Sequence, residues 1–454
     1  EAYNNIGYSF SKNGDIERAI GYFDKAIKIN PKFVSAYNNL GNSFLEKEDV
    51  DRAIKSFYKA LKINPVFAEA HNNLGTALNK KNKYTEAIKS FKLAIKYKPK
   101  FTKAFFNLAN TLQEMGDFES AHYYFDKALE INPDYAEAHL NLSINHLILG
   151  NYSSGLDHYE WRWKCKVLKQ PHAQPKISKW DGLGKLKEER LLLISEQGLG
   201  DTMQFMRYVP FLRRQGFVCS FCAQTKLHSL IKASRIDANP ITPKLANTIS
   251  TGKWFPLLSL PKYLGVNPKN PLINEPYIYS TRELVEKWKK ILQAENKPVI
   301  GINWQGNPNT EKDLLRGRSL LLDEFLPIVE FNDYKLLSLQ KGFGSEQLIN
   351  CSFKKKFVSC QNQVEQIWDF LEIAAIILNC DLVITSDTSI AHLAGGLGKK
   401  TWLLLKKIPE WRWGLEGEKT FWYPSMRLFR QNKQDNWQEL MSRVSLELIK
   451  ENRM

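Results

Sequence analysis

Five alanines, Ala2, Ala36, Ala70, Ala104 and Ala138, stand 34 residues apart, and the first 150 or so residues keep step with them. Pro31, Pro65, Pro99 and Pro133 share the period, as do Ala19, Ala53, Ala87 and Ala121, and Phe23, Phe57, Phe91 and Phe125. A strict period of this length predicts stacked helix–turn–helix units, each too small to bury its apolar face alone. Such solenoids offer long binding surfaces and leave chemistry to other parts of a chain. Four full repeats are visible. A fifth starts at Ala138 and then departs from the pattern, with Gly155 and Tyr159 at the second-helix positions followed by Trp161-Arg162-Trp163. This reads as a cap that docks the solenoid onto the next domain, giving a repeat region over 1–165.

At 454 residues the chain exceeds a single core and implies two to four domains. Its 43% hydrophobic and 12% aromatic content suits a folded, soluble protein. No run approaches the roughly 18 apolar residues of a membrane span. The chain opens at Glu1 inside a repeat and so reads as a fragment, which leaves an upstream targeting segment open. The formal charge of +16 suggests either a nucleic-acid or anionic-membrane partner or lysines scattered over solvent faces. The lysines form no dense block, which favours the second. Cys219-x-x-Cys222 lies in a strand-like FVCSFCA and has no second CxxC to complete a zinc site of about four ligands. Buried free thiols and a reducing, cytoplasmic setting are expected.

In the second repeat Tyr37, Leu40, Gly41 and Phe44 make one apolar face, Ala53, Phe57 and Ala60 the other, and Pro65 ends the unit. At these residues the segment resembles the tetratricopeptide repeat family. A second periodic set is polar: Asn5, Asn39, Asn73, Asn107 and Asn141 precede the buried Ile or Leu of each first helix. Helix geometry turns that position about 100° from the core, toward the concave face. Asparagine is a mediocre helix former, so five in register need a reason. The amides either pair with the backbone of an extended peptide or bond to the neighbouring repeat and hold the stack together. The solenoid of protein O-GlcNAc transferases is similar in carrying an asparagine ladder that binds polypeptide.

Periodicity stops in 166–189, where Pro171, Pro175, Gly182 and Gly184 mark a linker. LLLISEQGLGDTMQFMRYVPFLRRQG then reads as a strand at 191–194, a Gly-rich turn and an amphipathic helix from Asp201. That corner of an α/β sheet presents amides to an anion, with Gly198 and Gly200 allowing close approach of a ligand. Alone, Asp201 reads as an N-cap. The alternation restarts at Pro298, with VIGINW and KLLSLQ as strands, a helix near 322–330 and an apolar helix at 364–379. DLVIT, SDTSIAHLAGGLG and TWLLL then give strand, helix and strand. Asp387, Thr388 and Ser389 stand where a strand ends and a helix begins, with His392 one turn in. The expected fold is therefore an α-helical solenoid followed by two Rossmann-like domains facing a cleft, over 190–296 and 297–454. A final amphipathic helix, about 435–450, is expected to pack back across the first of them.

EQGLGDTMQFMRYVPFL, INWQGNPNTEKDLLRGRS, SLQKG, SDTSIAHLAGGLG, PEWRWG and WYPSMRLFRQ together resemble the glycosyltransferase family 9 domain of bacterial tetratricopeptide proteins, related to the heptosyltransferases. The likeness covers nearly all of 155–440. It implies a GT-B architecture, a nucleotide-sugar donor and inverting transfer without a metal or other cofactor. By motif, Asp201 matches the general base, and Asp387, Thr388, Ser389 and His392 match the donor-binding segment. Lys312 sits near where those enzymes place a cationic side chain against the diphosphate, with Arg318 competing for that role and Lys341 a third candidate that otherwise reads as a solvated loop lysine. Glu372 faces the nucleoside, although the family pattern more often has Asp there. Lys406 and Lys407 depart from the expected apolar or proline residues, and Trp411-Arg412-Trp413 reads as a structural cation–π cluster. The resulting expectation is a glycosyltransferase acting on a protein or peptide held by the repeats, with no membrane span and no specific nucleic-acid partner. An adaptor that has lost catalysis, and transfer to a lipid-linked or surface saccharide, are the alternatives.

Overall fold

The computed structural model describes residues 1–165, 171–182, 184, 186, 189–311, 317–330 and 333–452. Two compact units divide the chain, Glu1–Asn145 and His146–Met454.

The first unit pairs antiparallel helices: α1 (Ala2–Lys12) with α2 (Ile16–Ile29), α3 (Val34–Glu46) with α4 (Val50–Ile63), α5 (Ala68–Lys80) with α6 (Tyr84–Tyr97), and α7 (Thr102–Met115) with α8 (Phe118–Ile131). The periodic residues explain the stack. Phe23, Phe57, Phe91 and Phe125 are at most 1% exposed, and Ala19, Ala53, Ala87 and Ala121 are wholly buried beside them. The helices of a pair close to the point where a Cβ on Gly41 would lie 2.5 Å from the Phe57 ring, and one on Gly75 2.6 Å from Phe91. Asp15, Asp49 and Asp117 cap α2, α4 and α8, each carboxylate accepting a backbone N–H three residues on. Lys83 holds that place before α6 and supplies no cap. Lys83→Asp should therefore add about 1 kcal/mol of stability, read as a higher urea midpoint. An unchanged midpoint would mean that the exposed Lys83–Glu86 pair was worth as much as a cap.

The second unit carries two parallel sheets. The smaller is ordered β2 (Val218–Cys222), β1 (Arg190–Ile194), β3 (Lys253–Pro256). The larger is ordered β5 (Lys335–Ser338), β4 (Val299–Asn303), β6 (Leu382–Ser386), β7 (Thr401–Leu405), β8 (Met426–Arg430). In both, the chain leaves its first strand in one direction and returns on the other side of it. The two sheets are consistent with two Rossmann-like halves. Strands β4, β6 and β7 are buried throughout, as expected of parallel strands covered on both faces.

Several elements depart from the sequence reading. The helix expected from Asp201 is two short ones, Leu199–Phe205 and Tyr208–Arg214. Pro210, which has no N–H to give the carbonyl four residues back, explains the break. The apolar stretch 364–379 likewise divides into Gln361–Glu365 and Phe370–Leu378. The final helix, Trp437–Asn452, does not cross back: Trp437, Leu440, Met441, Val444 and Leu448 fill the core of the larger sheet with Ile302, Ile384 and Leu404. The described part of the stretch read as a linker is stitched to the smaller sheet. Trp180 N–H donates to Trp254 O at 2.8 Å, and its ring is buried against Phe217, Phe255 and Tyr263. Proline and glycine there shape an irregular edge segment. Trp161-Arg162-Trp163 forms a 3-10 turn of this second unit. Arg162, 3% exposed, makes a two-point ion pair with Glu196 at 3.0 and 3.1 Å. Cys219 and Cys222 stand three apart on β2, so they point to opposite faces of the sheet. Burial pushes their thiols up to about 11 and about 12.

Candidate functional site

Parallel α/β sheets bind ligands at the carboxyl ends of the strands where strand order reverses. In the smaller sheet that point follows β1 and opens the turn Ser195–Asp201. In the larger it lies between β4 and β6, where Asn303 and Asp387 emerge. Both points line one cavity of about 900 Å³ within the second unit.

From the β1 side, Asp201 is held at both oxygens. One accepts the Gly198 N–H at 2.9 Å; Gly198 is the N-cap, and Asp201, expected from sequence to be that cap, reaches back to it from the third helical position. The other accepts Arg412 Nη2 at 2.7 Å. Gly200 lines the cavity and also packs tightly: a Cβ there would lie 2.7 Å from His392 Cδ2, where helix Leu199–Phe205 abuts helix Ser389–Gly396. Gly198 lines the cavity beside Gln197, which takes the left-handed φ of 61° at the turn.

From the β6 side, Asp387 is 8% exposed, and burial raises its carboxyl above the ordinary range against the pull of Arg318 and Arg412. Thr388 Oγ1 donates to Asn303 Oδ1 at 2.8 Å, and Ser389 opens the following helix. His392 bonds through Nδ1 to Tyr423 OH at 2.9 Å and stacks on Trp413. Burial, followed by the charges of Arg412, Arg207 and Arg318, holds the imidazole well below its usual pKa. It is therefore neutral at physiological pH and offers a ligand a hydrogen bond, without charge. Arg318 lines the cavity and pairs with Glu311 at 3.3 Å. Lys312 lies outside the described residues. Lys341 also lines the cavity, donates to the Val364 carbonyl, and is lowered by burial to about 8. Glu372 turns to the neighbouring helix, accepting from Lys287 at 2.6 Å and Trp288 Nε1 at 3.0 Å.

Three contributors were not singled out from sequence. Asn303 and Gln340 tie the strand ends together: Gln340 Oε1 accepts Asn303 Nδ2 at 2.8 Å and the N–H groups of Trp304 and Gln305. Their position at the ends of β4 and β5, in INW and SLQ, was the available signal. Glu410 lines the cavity and grips Arg412, and burial raises its carboxyl to about 7. Arg412 itself, read as a structural stack, joins Glu410, Asp201 and Gln204.

In the first unit a groove is lined by Asn39, Asn73 and Asn107 with Thr76, Lys12 and Lys103. Asn39, Asn73 and Asn107 donate to Asn4, Asn38 and Asn72 of the preceding repeat at 3.0, 3.0 and 2.9 Å. The fourth repeat has Phe106 in place of that partner, and Asn141 donates instead to Asn110 at 2.8 Å. Asn5 is exposed. The ladder thus bonds repeat to repeat while facing the groove. Among the described residues, the amide oxygens of Asn39 and Asn107 accept no hydrogen bond within the chain.

The tetratricopeptide repeat model matches residues 1–33, 34–67, 68–101 and 102–135, which are tetratricopeptide repeats. No glycosyltransferase family model matches the α/β region. Protein FlbA of Caulobacter vibrioides is 25% identical over 329 residues, a distant homology spanning 66% of this chain and 53% of that protein. The chain therefore spans about half the length of that relative. Among solved structures, pilF of Pseudomonas aeruginosa is 20% identical over 48% of this chain and 86% of its own, with a TM-score of 0.37. The tetratricopeptide protein TTC0263 of Thermus thermophilus is 19% identical over 35% and 87%, with a TM-score of 0.32. Among the described residues no helix is long and apolar enough to cross a membrane.

Proposed function

We propose that the α/β unit is a glycosyltransferase that moves a sugar from a nucleotide-sugar to a protein or peptide held by the repeats. The observation that carries this reading is the meeting of two switch points in one cavity. One contributes the carboxylate of Asp201 and the other the Asp387–His392 corner. In the reaction a hydroxyl or amide of the acceptor attacks the anomeric carbon on the face opposite the diphosphate. The nucleoside diphosphate leaves with the electrons of the broken C–O bond, and Asp201 takes the acceptor's proton. Arg318, with Lys312 as the other candidate, offsets charge on the leaving diphosphate, so no metal or other cofactor is required. Thr388, Ser389 and His392 supply hydrogen bonds to the donor, and Gly198 a close backbone approach. The acceptor chain lies along Asn5, Asn39, Asn73, Asn107 and Asn141, with the amide oxygens of Asn39 and Asn107 open to its backbone N–H groups. A cytoplasmic location fits the free cysteines.

An adaptor without catalysis is the second reading, favoured by the fact that both oxygens of Asp201 already have partners. Calorimetry with UDP, GDP, ADP, CMP and dTDP sugars separates the two. One nucleotide should bind the wild type selectively and bind Asp387→Ala at least tenfold more weakly. A folded wild type that binds none of them would leave the adaptor standing.

A further inference from the structure

The cavity is lined by two kinds of side chain. Asp387, Thr388, Arg318 and Arg412 are polar, whereas Phe343 and Trp368 line it as exposed aromatics, 49% and 61% accessible. Trp288, Trp304, Trp402 and Trp422 are fully buried in the same unit, so an indole open to water inside a cleft is a departure from how this chain places its tryptophans. Single exposed apolar side chains are ordinary; two aromatic rings lining one cavity are not accounted for in that way.

The backbone beside each ring is tied into local structure. Trp368 precedes the cap of helix Phe370–Leu378, where the Asp369 carboxylate accepts the Leu371 N–H at 3.2 Å. The Phe343 carbonyl accepts from Gln340 Nε2 at 2.5 Å. Gln340 also anchors Asn303, which in turn holds Thr388. One hydrogen-bonded chain therefore runs from the Phe343 loop to the Asp387 corner, all within the half built on the larger sheet. Lys341, which follows Gln340 in sequence, lines the same cavity.

The geometry points to Trp368, supported by Phe343, as a nucleobase subsite, the base of a nucleoside diphosphate lying flat on the indole while its phosphates reach the Asp387 corner. This rests on the nucleotide-sugar reading above and adds where the base sits. A stacked base has a π-face whatever its edge groups, so this subsite supplies affinity, and discrimination among bases falls to polar neighbours such as Lys341.

The test is calorimetric binding of free UDP, GDP, ADP, CMP and dTDP, and of inorganic pyrophosphate as the base-free probe, to wild type, Trp368→Ala and Trp368→Phe. With the nucleotide that binds the wild type best, Trp368→Ala should weaken affinity roughly tenfold and Trp368→Phe by less than about threefold. Pyrophosphate should bind all three alike. Equal nucleotide affinity in wild type and Trp368→Ala would overturn the subsite and leave the donor reading intact. Equal weakening of nucleotide and pyrophosphate would also overturn it, because the change would then act on the whole cleft. A wild type that binds no nucleotide would remove the donor reading and the subsite with it.

Discussion

Asp201→Asn is expected to lower sugar transfer by about 10²- to 10⁴-fold while nucleotide affinity stays within about twofold of wild type. The asparagine oxygen can still accept the Gly198 N–H, so the turn after β1 keeps its cap. What disappears is the proton acceptor. The new amide nitrogen also faces Arg412 donor to donor, but Arg412 keeps Glu410 and Gln204 as partners. Local geometry should therefore survive, and a melting temperature close to wild type would check it. Retained turnover would remove Asp201 as the base. Loss of nucleotide affinity together with turnover would reassign the residue to holding the two switch points together.

Arg207→Ala should destabilise the second unit by about 3 kcal/mol or more, seen as a large drop in melting temperature or in soluble yield. Arg207 is 1% exposed. Its guanidinium donates to the carbonyls of Gln204 at 2.8 Å, Ile273 at 3.1 Å and Trp422 at 2.9 Å, and to Tyr277 OH at 3.0 Å. It also lies 4.4 Å from the Tyr277 ring centroid and 4.7 Å from that of Tyr423. Alanine takes a donor from three carbonyls, of which Gln204 O keeps only a longer bond from Tyr277 OH at 3.4 Å, and it leaves a cavity between two rings. Arg207→Met fills much of the volume but satisfies none of the carbonyls, so it should recover only part of the loss. A cost below about 1 kcal/mol for the alanine variant would mean that water replaces the guanidinium.

The repeats were readable because a solenoid repeats its physics: each Phe, Ala and Gly meets the same neighbours one unit on. The two strand–turn–helix corners were readable for a related reason, since strand end, small residues and helix start are contiguous. The links that join those corners were hidden. Arg412 meets Asp201 and Gln204 from more than 200 positions away, and nothing in PEWRWG states which side chain it will hold. The same limit applies to Asn303 and Gln340, whose amides find each other only once β4 and β5 are paired. Asn4, Asn38 and Asn72 were in plain view as the first members of Asn-Asn pairs, yet their role appears only when one repeat is laid on the next. Helix lengths failed where a single proline, Pro210, outweighed an amphipathic pattern.

The amide bonds between repeats make one side of the solenoid resistant to stretching. Each joins successive first helices at a side-chain contact, so the groove cannot lengthen between repeats without breaking one. A chain lying in it would meet a ruler with fixed divisions. Such a template measures the extent and straightness of what it holds more readily than it reads individual side chains, and inserting or deleting a whole repeat would change its reach in steps.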